Sequence, residues 1–369
     1  MNEWKTVRLG DVLIQQDKSK IKAGEGIDDG IYPFYTCSNE LTKRINTAQY
    51  KGPALIFGTG GKASVHFCSE DFSTSTDCLV YKTNKDVNLS LINKFLRNNI
   101  YLLENGFKGA GLQHISRDYI ANIEITLPNI LEQNKLVTQF DLIESTIANH
   151  KSMLQKYDTL IKSRFIEMFG DNPVESGKWE VETLADVCSS VVRGPFGSAL
   201  KKDVFVPKSN NTVKVYEQKH AIQKSANIGT YYISQEKYEE LKRFECKPGD
   251  FIMSCSGTMG EFYQLPIGCE KGIINQALCK FSLNNKIEAL FFLEWMKQSI
   301  HNLETKGSGI QNVAAVSFIK QMPVFLPPLT LQNDFASFVQ QIDKSKFAVQ
   351  KSLEKTETLY KSLMQQYFG

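Results

Sequence analysis

The glycine-rich run Gly58-Thr59-Gly60-Gly61-Lys62 is where chemistry would first be sought in this chain. Glycines ahead of a lysine can offer backbone amides to a phosphate. The spacing argues against a nucleoside triphosphate. The GxxxxGK[ST] pattern is absent, and no Ser or Thr follows Lys62 to hold magnesium. A second copy, Gly257-Thr258-Met259-Gly260, is followed by Glu261, which repels phosphate. Two readings stay open. The run is a tight strand–loop–strand connection using glycine's positive φ, or a loop whose amides approach nucleic-acid phosphate. Other chemistry is missing: there is no GxSxG, HxH, HExxH or CxxC, and no acidic triplet with nuclease spacing. Pro327-Pro328 runs into Leu329, unlike the Asp/Asn-Pro-Pro-Tyr/Phe stretch of an S-adenosylmethionine methyltransferase. The sequence predicts no catalytic residue, no metal site and no cofactor site.

Polar and basic residues instead suggest a distributed contact surface. Lys18, Lys20 and Lys22 alternate in the first half, with Lys43 and Arg44 not far on. Thr59, Lys62 and Gln113 belong to its glycine-rich loops. In the second half Arg193 leads into Gly194-Pro195-Phe196-Gly197-Ser198, then Lys201 and Lys202; Tyr216, Gln218, Lys219 and Lys224 follow. Lysines suit phosphates, whereas Arg193, Gln218 and Gln113 suit base edges. Any one such cluster on its own is ordinarily a solvated face.

The elements that position these residues form a repeat, and a repeat sets the architecture. Leu127–Gly170 and Leu326–Gly369 align end to end without a gap: Leu127-Pro128 meets Leu326-Pro327, Gln133 meets Gln332, and Phe169-Gly170 meets Phe368-Gly369. In the first copy Phe140, Ile143, Ile147, His150, Leu154, Tyr157, Ile161, Arg164 and Met168 follow alternating 3 and 4 spacing. Val339, Ile342, Lys346, Val349, Leu353, Thr356, Tyr360, Leu363 and Tyr367 repeat that register. Each copy predicts a long helix with a heptad seam, and about 40 residues at 1.5 Å each give roughly 60 Å. A helix of that length needs a partner, and the other copy is the economical one. The repeat extends outward. Trp4, Leu9, Asp11 and Val12 return as Trp179, Leu184, Asp186 and Val187, and Gly109-Ala110-Gly111-Leu112-Gln113 returns as Gly307-Ser308-Gly309-Ile310-Gln311.

The predicted organisation is α+β: a domain over 1–128, a long helix over 129–170, a second domain over 171–327 and a C-terminal helix over 328–369 that pairs with the first. Short strands are expected at Ala54–Phe57, Ala63–Cys68, Cys78–Lys82, Asp250–Cys255 and Ala277–Ser282, and helices at Ser90–Asn98 and Ile287–Gln298. The 369 residues are 42% hydrophobic and 22% charged with net charge +3, which neither shows nor excludes nucleic-acid binding. No apolar run is long enough to span a membrane, and the N-terminus lacks an apolar leader. A cytoplasmic protein with eight reduced cysteines is expected.

The chain resembles the specificity subunit of type I restriction-modification systems. Each half opens with W-x4-L-x-D-V. Gly194-Pro195-Phe196-Gly197-Ser198-x-Leu200-Lys201 is similar to a stretch common in target-recognition domains of that family. Lys247-Pro248-Gly249-Asp250, Ser256-Gly257-Thr258-Met259-Gly260 and Asn275-Gln276-Ala277-Leu278 follow in order. Each half closes on a strand, Leu-Pro and a long helix, with departures at Asn129, where a second Pro is usual, and at Leu331, where an acid is usual. The first half has no GPFGS equivalent. The resemblance implies two pseudo-two-fold-related target-recognition domains joined by an antiparallel coiled coil of two long helices. It further implies a non-catalytic subunit that reads an asymmetric bipartite site in double-stranded DNA. Two adenine-N6 methyltransferase subunits and motor-nuclease subunits would then be partners, carrying S-adenosylmethionine, ATP and Mg. The rival reading is a helical scaffold for protein partners without sequence-specific DNA binding.

Overall fold

A computed structural model describes residues 4–109, 111, 113–195, 197–299 and 316–368. The chain divides into two compact units. One comprises Met1–Met153 with Val349–Gly369, and the other is Leu154–Ala348.

The first unit contains β1 (Lys5–Arg8), β2 (Ile14–Gln15), β3 (Tyr32–Tyr35), β4 (Lys43–Ile45), β5 (Ala54–Gly58), β6 (Ser64–Cys68), β7 (Ser73–Thr74), β8 (Cys78–Lys82), β9 (Phe107–Lys108), β10 (His114–Ile115) and β11 (Glu124–Leu127). One sheet has the order β2-β8-β5-β6 and a second the order β4-β3-β7. β5 is buried at every position, as its unbroken apolar run requires for an inner strand covered on both faces. In the second sheet β3 and β7 are parallel, with Tyr35 opposite Thr74. β1 and β11 pair antiparallel, so the domain's first and last strands meet where the long helix begins.

The second unit repeats this plan with β12 (Glu180–Thr183), β13 (Cys188–Arg193), β14 (Thr212–Tyr216), β15 (Tyr232–Ser234), β16 (Glu245–Cys246), β17 (Phe251–Ser254), β18 (Phe262–Gln264), β19 (Gly272–Ile274), β20 (Leu278–Leu283) and β21 (Pro323–Leu326). Its sheets have the orders β13-β20-β17-β18 and β15-β14-β19-β16, and β12 pairs with β21. β14 and β19 are the parallel pair, with Tyr216 opposite Ile274. The expected strands and domain helices are present, the helices as Leu89–Asn98 and Ala289–Ser299. The apolar residues of the repeated opening motif are core: Leu9, Val12, Leu184 and Val187 are buried.

The two long helices are Ile130–Phe169 and Leu329–Phe368, 40 residues each. Neither holds Pro or Gly, so no intrahelical hydrogen bond is lost. The first ends at Gly170 with φ +97, the left-handed stop that its residue type predicts. None of the predicted seam residues is exposed. In the first unit Phe140 packs on Tyr360 and Phe368, and Lys151 pairs with Glu357 at 3.0 Å. In the second unit Asp158 pairs with Lys346 at 2.6 Å, and Phe165 packs on Phe335. Within each unit, contacts that climb one helix descend the other, so the pairing is antiparallel. Three of the polar seam residues find partners. Lys346 has Asp158, the Thr356 hydroxyl donates to the Ser352 carbonyl at 2.8 Å, and Arg164 holds Glu167 at 2.8 Å. His150 Nδ1 is buried without a hydrogen bond.

A buried glutamine fastens the start of each long helix to its domain. Gln133 Oε1 accepts from the Asn88 N–H at 2.8 Å, and its Nε2 donates to the Pro128 carbonyl at 2.8 Å. Gln332 does the same with the Glu288 N–H at 2.8 Å and the Pro327 carbonyl at 2.8 Å. Asn88 and Glu288 are themselves N-caps of the domain helices, accepting from Ser90 and Leu91, and from Leu290 and Phe291. One amide side chain thus links a helix start, a Leu-Pro carbonyl and a second helix cap. Asn129 also gains a purpose: its Oδ1 accepts from the Glu132 N–H at 3.0 Å, capping the first long helix where the second uses Pro328.

The far end of each long helix completes the other domain's core. Met364 and Phe368 join Leu55, Phe57, Leu136 and Phe140, while Phe165 and Phe169 join Phe291, Phe325 and Phe335. The repeated tryptophan marks this junction. Trp4 stacks on Tyr367 at 6.1 Å, and Trp179 Nε1 donates to the Phe169 carbonyl at 3.1 Å.

Gln133→Leu and Gln332→Leu each strand a buried N–H and a buried carbonyl. Each should lower unfolding stability by about 2–4 kcal/mol. Exposed Lys135→Ala should change it by less than about 0.5 kcal/mol. Urea denaturation would show this, and an unshifted Gln332→Leu midpoint would remove the clamp from the account.

Candidate nucleic-acid interface

In the first unit the residues singled out from sequence converge on the end of the parallel strand pair. Lys18, Lys20 and Lys22 are exposed, and Ser19 between them is buried. The Ser19 hydroxyl lies 2.5 Å from the Thr74 carbonyl, and the Thr76 N–H donates to the Ile21 carbonyl at 2.9 Å. The alternation is therefore real: one side of the strip grips residues 74–76, and the other presents ammonium groups. The next residue, Asp77, holds the glycine loop. Its carbonyl accepts from the Thr59 N–H at 2.8 Å and the Thr59 hydroxyl at 2.8 Å. The two glycine-rich loops are laced together as well. Gly61 N–H donates to the Gln113 carbonyl at 3.2 Å, and Ile115 N–H donates to the Thr59 carbonyl at 3.2 Å. Lys62 and Gln113 are exposed beside each other's loop. Gly61 has φ +81 with open space where a Cβ would be, so backbone conformation rather than crowding demands glycine there.

In the second unit the corresponding place is built from residues far apart in sequence. Gly194 lies so close to Asn275 that a Cβ would collide with the Asn275 carbonyl. Gly194 N–H donates to the Leu278 carbonyl at 2.9 Å, and Cys255 N–H donates to the Ala277 carbonyl at 2.8 Å. Gln218 holds the Ser256–Gly260 loop through Nε2, which donates to the Ser256 carbonyl and to the Thr258 carbonyl at 3.2 Å. Three motifs noticed separately in the sequence are thus one nest. The units superimpose in their bonding: Tyr35 carbonyl accepts from Ser75 N–H at 2.8 Å, as Tyr216 carbonyl accepts from Asn275 N–H at 2.9 Å. Two residues after each tyrosine comes the side chain that pins the glycine loop, Cys37 in the first unit and Gln218 in the second. Cys37 Sγ donates to the Asp77 carbonyl at 3.0 Å and accepts from the Gly60 N–H at 3.4 Å. Sequence reasoning missed Cys37, because only the strand pairing reveals its equivalence to Gln218.

Charge separates the candidate cations. Among the described residues Lys18, Lys20, Lys22, Lys62, Lys201 and Lys202 are exposed and take part in no ion pair. Lys219 is neutralised by Glu217 at 2.8 Å and lies over the Tyr231 ring at 5.6 Å. Lys224, with φ 49, pairs with Glu261 at 2.6 Å. Lys43 pairs with Asp28 at 2.6 Å, and Arg44 donates to the Gly30 carbonyl at 2.7 Å; both fasten a loop. Arg193 is half-buried at the end of β13, where its charge adds to the larger effect of Cys279 in lowering the Cys255 thiol pKa against burial. The Ser198 side chain, Phe196, Leu112 and the Gly307–Gln311 loop lie outside the described residues. The described residues contain no His/Cys/Asp/Glu group that could hold a metal ion, and no helix long and apolar enough to cross a membrane. The arrangement offers exposed cations, amide-rich loops and polar side chains, which suits a polyanion with readable edges.

Comparison with known proteins agrees. The Type I restriction enzyme EcoDI specificity subunit of Escherichia coli is 21% identical over 410 residues, covering 99% of this chain and 88% of its own. A type I restriction-modification S subunit from M. genitalium shares the fold, with TM-score 0.68 at 13% identity over 100% of this chain and 96% of that one. A structure described as the basis of complex assembly and conformational transition of the type I R-M system gives TM-score 0.58 at 15% identity, over 99% of this chain and 96% of that one. The family model for the Type I restriction modification DNA specificity domain matches twice, at residues 1–156 and 176–357. The chain therefore belongs to the type I restriction-modification DNA specificity family, and carries two copies of its domain.

Proposed function

We propose that this chain reads an asymmetric bipartite site in double-stranded DNA, with domains 1–128 and 171–327 each taking one half. The observation that carries this is the recurrence, in both units, of one loop nest at the end of a parallel strand pair, with unpaired lysines beside it in the first unit and following its Gly194 stretch in sequence in the second. Because the side chains of the two nests differ, Cys37 against Gln218 among them, the two half-sites differ. Lys18, Lys20, Lys22, Lys62, Lys201 and Lys202 contact phosphates. Gln113 and Arg193 read base edges, and each good bidentate pair discriminates by about 1–3 kcal/mol. Gln218 spends its amide nitrogen on the glycine loop, so its role is to aim that loop. Thr59 acts the same way, with its hydroxyl on Asp77. Lys219 contributes less than Lys201 or Lys202, being neutralised. Ser198 remains a proposed contact from the sequence.

The chain itself is non-catalytic. The helices at 129–170 and 328–369 are the connection between the two reading domains. Their outward faces dock two adenine-N6 methyltransferase subunits, and motor-nuclease subunits join that assembly. S-adenosylmethionine, ATP and Mg belong to those partners. Supporting the docking role, Leu142 and Phe347 on the helices are 67% and 71% exposed.

A footprint of the chain with its methyltransferase should show two short protected blocks around an unprotected spacer, and mapping of N6-methyladenine in a host expressing the system should return a split motif. Binding without sequence preference or salt dependence would overturn the reading. Replacing Lys201 and Lys202 together by Ala should weaken DNA binding for all sequences and reduce the logarithmic salt slope by about 2. Gln113→Ala should instead relax preference at one base, with a near-normal slope.

A further inference from the structure

We propose that Cys37 and Cys78 form a hydroperoxide-responsive thiol pair, in which Cys37 is oxidised, Cys78 closes the disulfide, and closure unfastens the Gly58–Lys62 loop. The geometry starts from Gly58, which stands opposite Cys78 across the β5–β8 pairing. A Cβ on Gly58 would lie 3.0 Å from the Cys37 Cα and 3.4 Å from its Cβ. Cys37 therefore sits directly over the strand position beside Cys78. Cys78 is buried, its Sγ 3.6 Å from the Tyr35 carbonyl, whereas Cys37 is partly exposed. Access and a resolving partner thus coincide at one place.

The surroundings favour the Cys37 thiolate. The neighbouring Cys78 thiol, with the Gly60 and Thr59 amides, outweighs burial and the opposing Asp77 carboxylate, and the Cys37 pKa falls to about 6. The nearby His66 ring bonds the Ser38 carbonyl at 2.8 Å and is held below its usual pKa mainly by burial. The neighbouring Cys37 and then burial push the Cys78 thiol far up, so Cys78 keeps its proton. The second unit supplies the contrast. Cys255 and Cys279 also influence each other, but both are 0% exposed and closed to solvent oxidants.

The chemistry balances with hydrogen peroxide. Cys37 thiolate attacks one peroxide oxygen; an S–O bond forms, the O–O bond breaks, hydroxide leaves, sulfur is oxidised and peroxide is reduced. Cys78 sulfur then attacks the Cys37 sulfenic acid. The S–S bond forms, the S–O bond breaks, and the departing hydroxide takes the Cys78 proton as water. The Gly60 N–H then loses the thiolate it donates to at 3.4 Å, since a disulfide sulfur is a far weaker acceptor. The consequence for DNA rests on the proposed reading function, but the thiol chemistry does not.

The test uses the reduced full chain. At pH 7 iodoacetamide should label Cys37 about 4-fold faster than a thiol of pKa about 9, since a roughly 90-fold gain in thiolate is offset by lower intrinsic nucleophilicity. The rate should level off above pH about 7, while Cys255 and Cys279 stay unlabelled in the native protein. After hydrogen peroxide, a non-reducing peptide map should show Cys37 joined to Cys78. In Cys78→Ser the Cys37 sulfenic acid should persist and be trapped by dimedone; should that variant not fold, the wild-type map decides. A Cys37 rate still climbing through pH 8, or over-oxidised Cys37 with Cys78 a free thiol, would overturn the pair. If the disulfide forms and dithiothreitol-reversible loss of binding to one half-site accompanies it, the proposal stands whole. A disulfide with unchanged DNA binding in a complex that does read DNA overturns the unfastening of a DNA-reading loop, leaving only the oxidation chemistry.

Discussion

Two buried glutamines fix what everything else inherits. Gln133 and Gln332 each accept one N–H at a helix start and donate to the carbonyl of a Leu-Pro turn, and Gln332 also donates to the Lys286 carbonyl at 3.3 Å. An amide is the side chain that can do both at once; Leu offers neither bond and Glu only the acceptor. The clamp sets the rotation of each long helix about its axis relative to its domain. Rotation in turn decides which stripe faces the other helix and which faces solvent. The aromatic cores around Phe140 and Phe165 then add hydrophobic burial to a geometry already specified by hydrogen bonds.

The polar residues of the helix seam work within that constraint. A seam of apolar residues alone would tolerate sliding by a heptad. Lys346 on Asp158 and Lys151 on Glu357 penalise such slips, since each would leave a charge without its partner. Their individual worth is modest because both pairs are partly exposed, so their effect is on register more than on total stability.

How much of this was legible in the sequence differs by element. The long helices were readable to within a residue, because heptad spacing, the absence of Pro and Gly, and Gly170 all point one way. β5 and β8 were readable from compact apolar runs. The parallel pairs, β3 with β7 and β14 with β19, were not, because β7 is only Ser73–Thr74 and nothing local distinguishes it from loop. Since those pairs carry the site, the site was legible only in fragments. Lys18, Lys20 and Lys22 stood out by alternation. Cys37 did not stand out at all, and Gln218 was noticed for its chemistry while its bond to the Ser256 and Thr258 carbonyls was invisible. Lys219 and Lys224 show the converse: their charge is plain in sequence, but Glu217 and Glu261 cancel it only once the chain is folded.

The exchange of helix ends also orders events during synthesis. The unit spanning Leu154–Ala348 is one continuous stretch of chain, so its core can close as soon as that stretch has left the ribosome. The other unit is started first yet needs Met364 and Phe368, which are added after the whole of Leu154–Ala348. Until then Leu55, Phe57 and Phe140 lack part of their cover. The half of the protein translated first is thus the last to finish, and an interrupted chain leaves it with exposed apolar surface of the kind that proteases and chaperones recognise. A chain whose first unit is closed by its second long helix thereby finishes that unit only after the helix has been made.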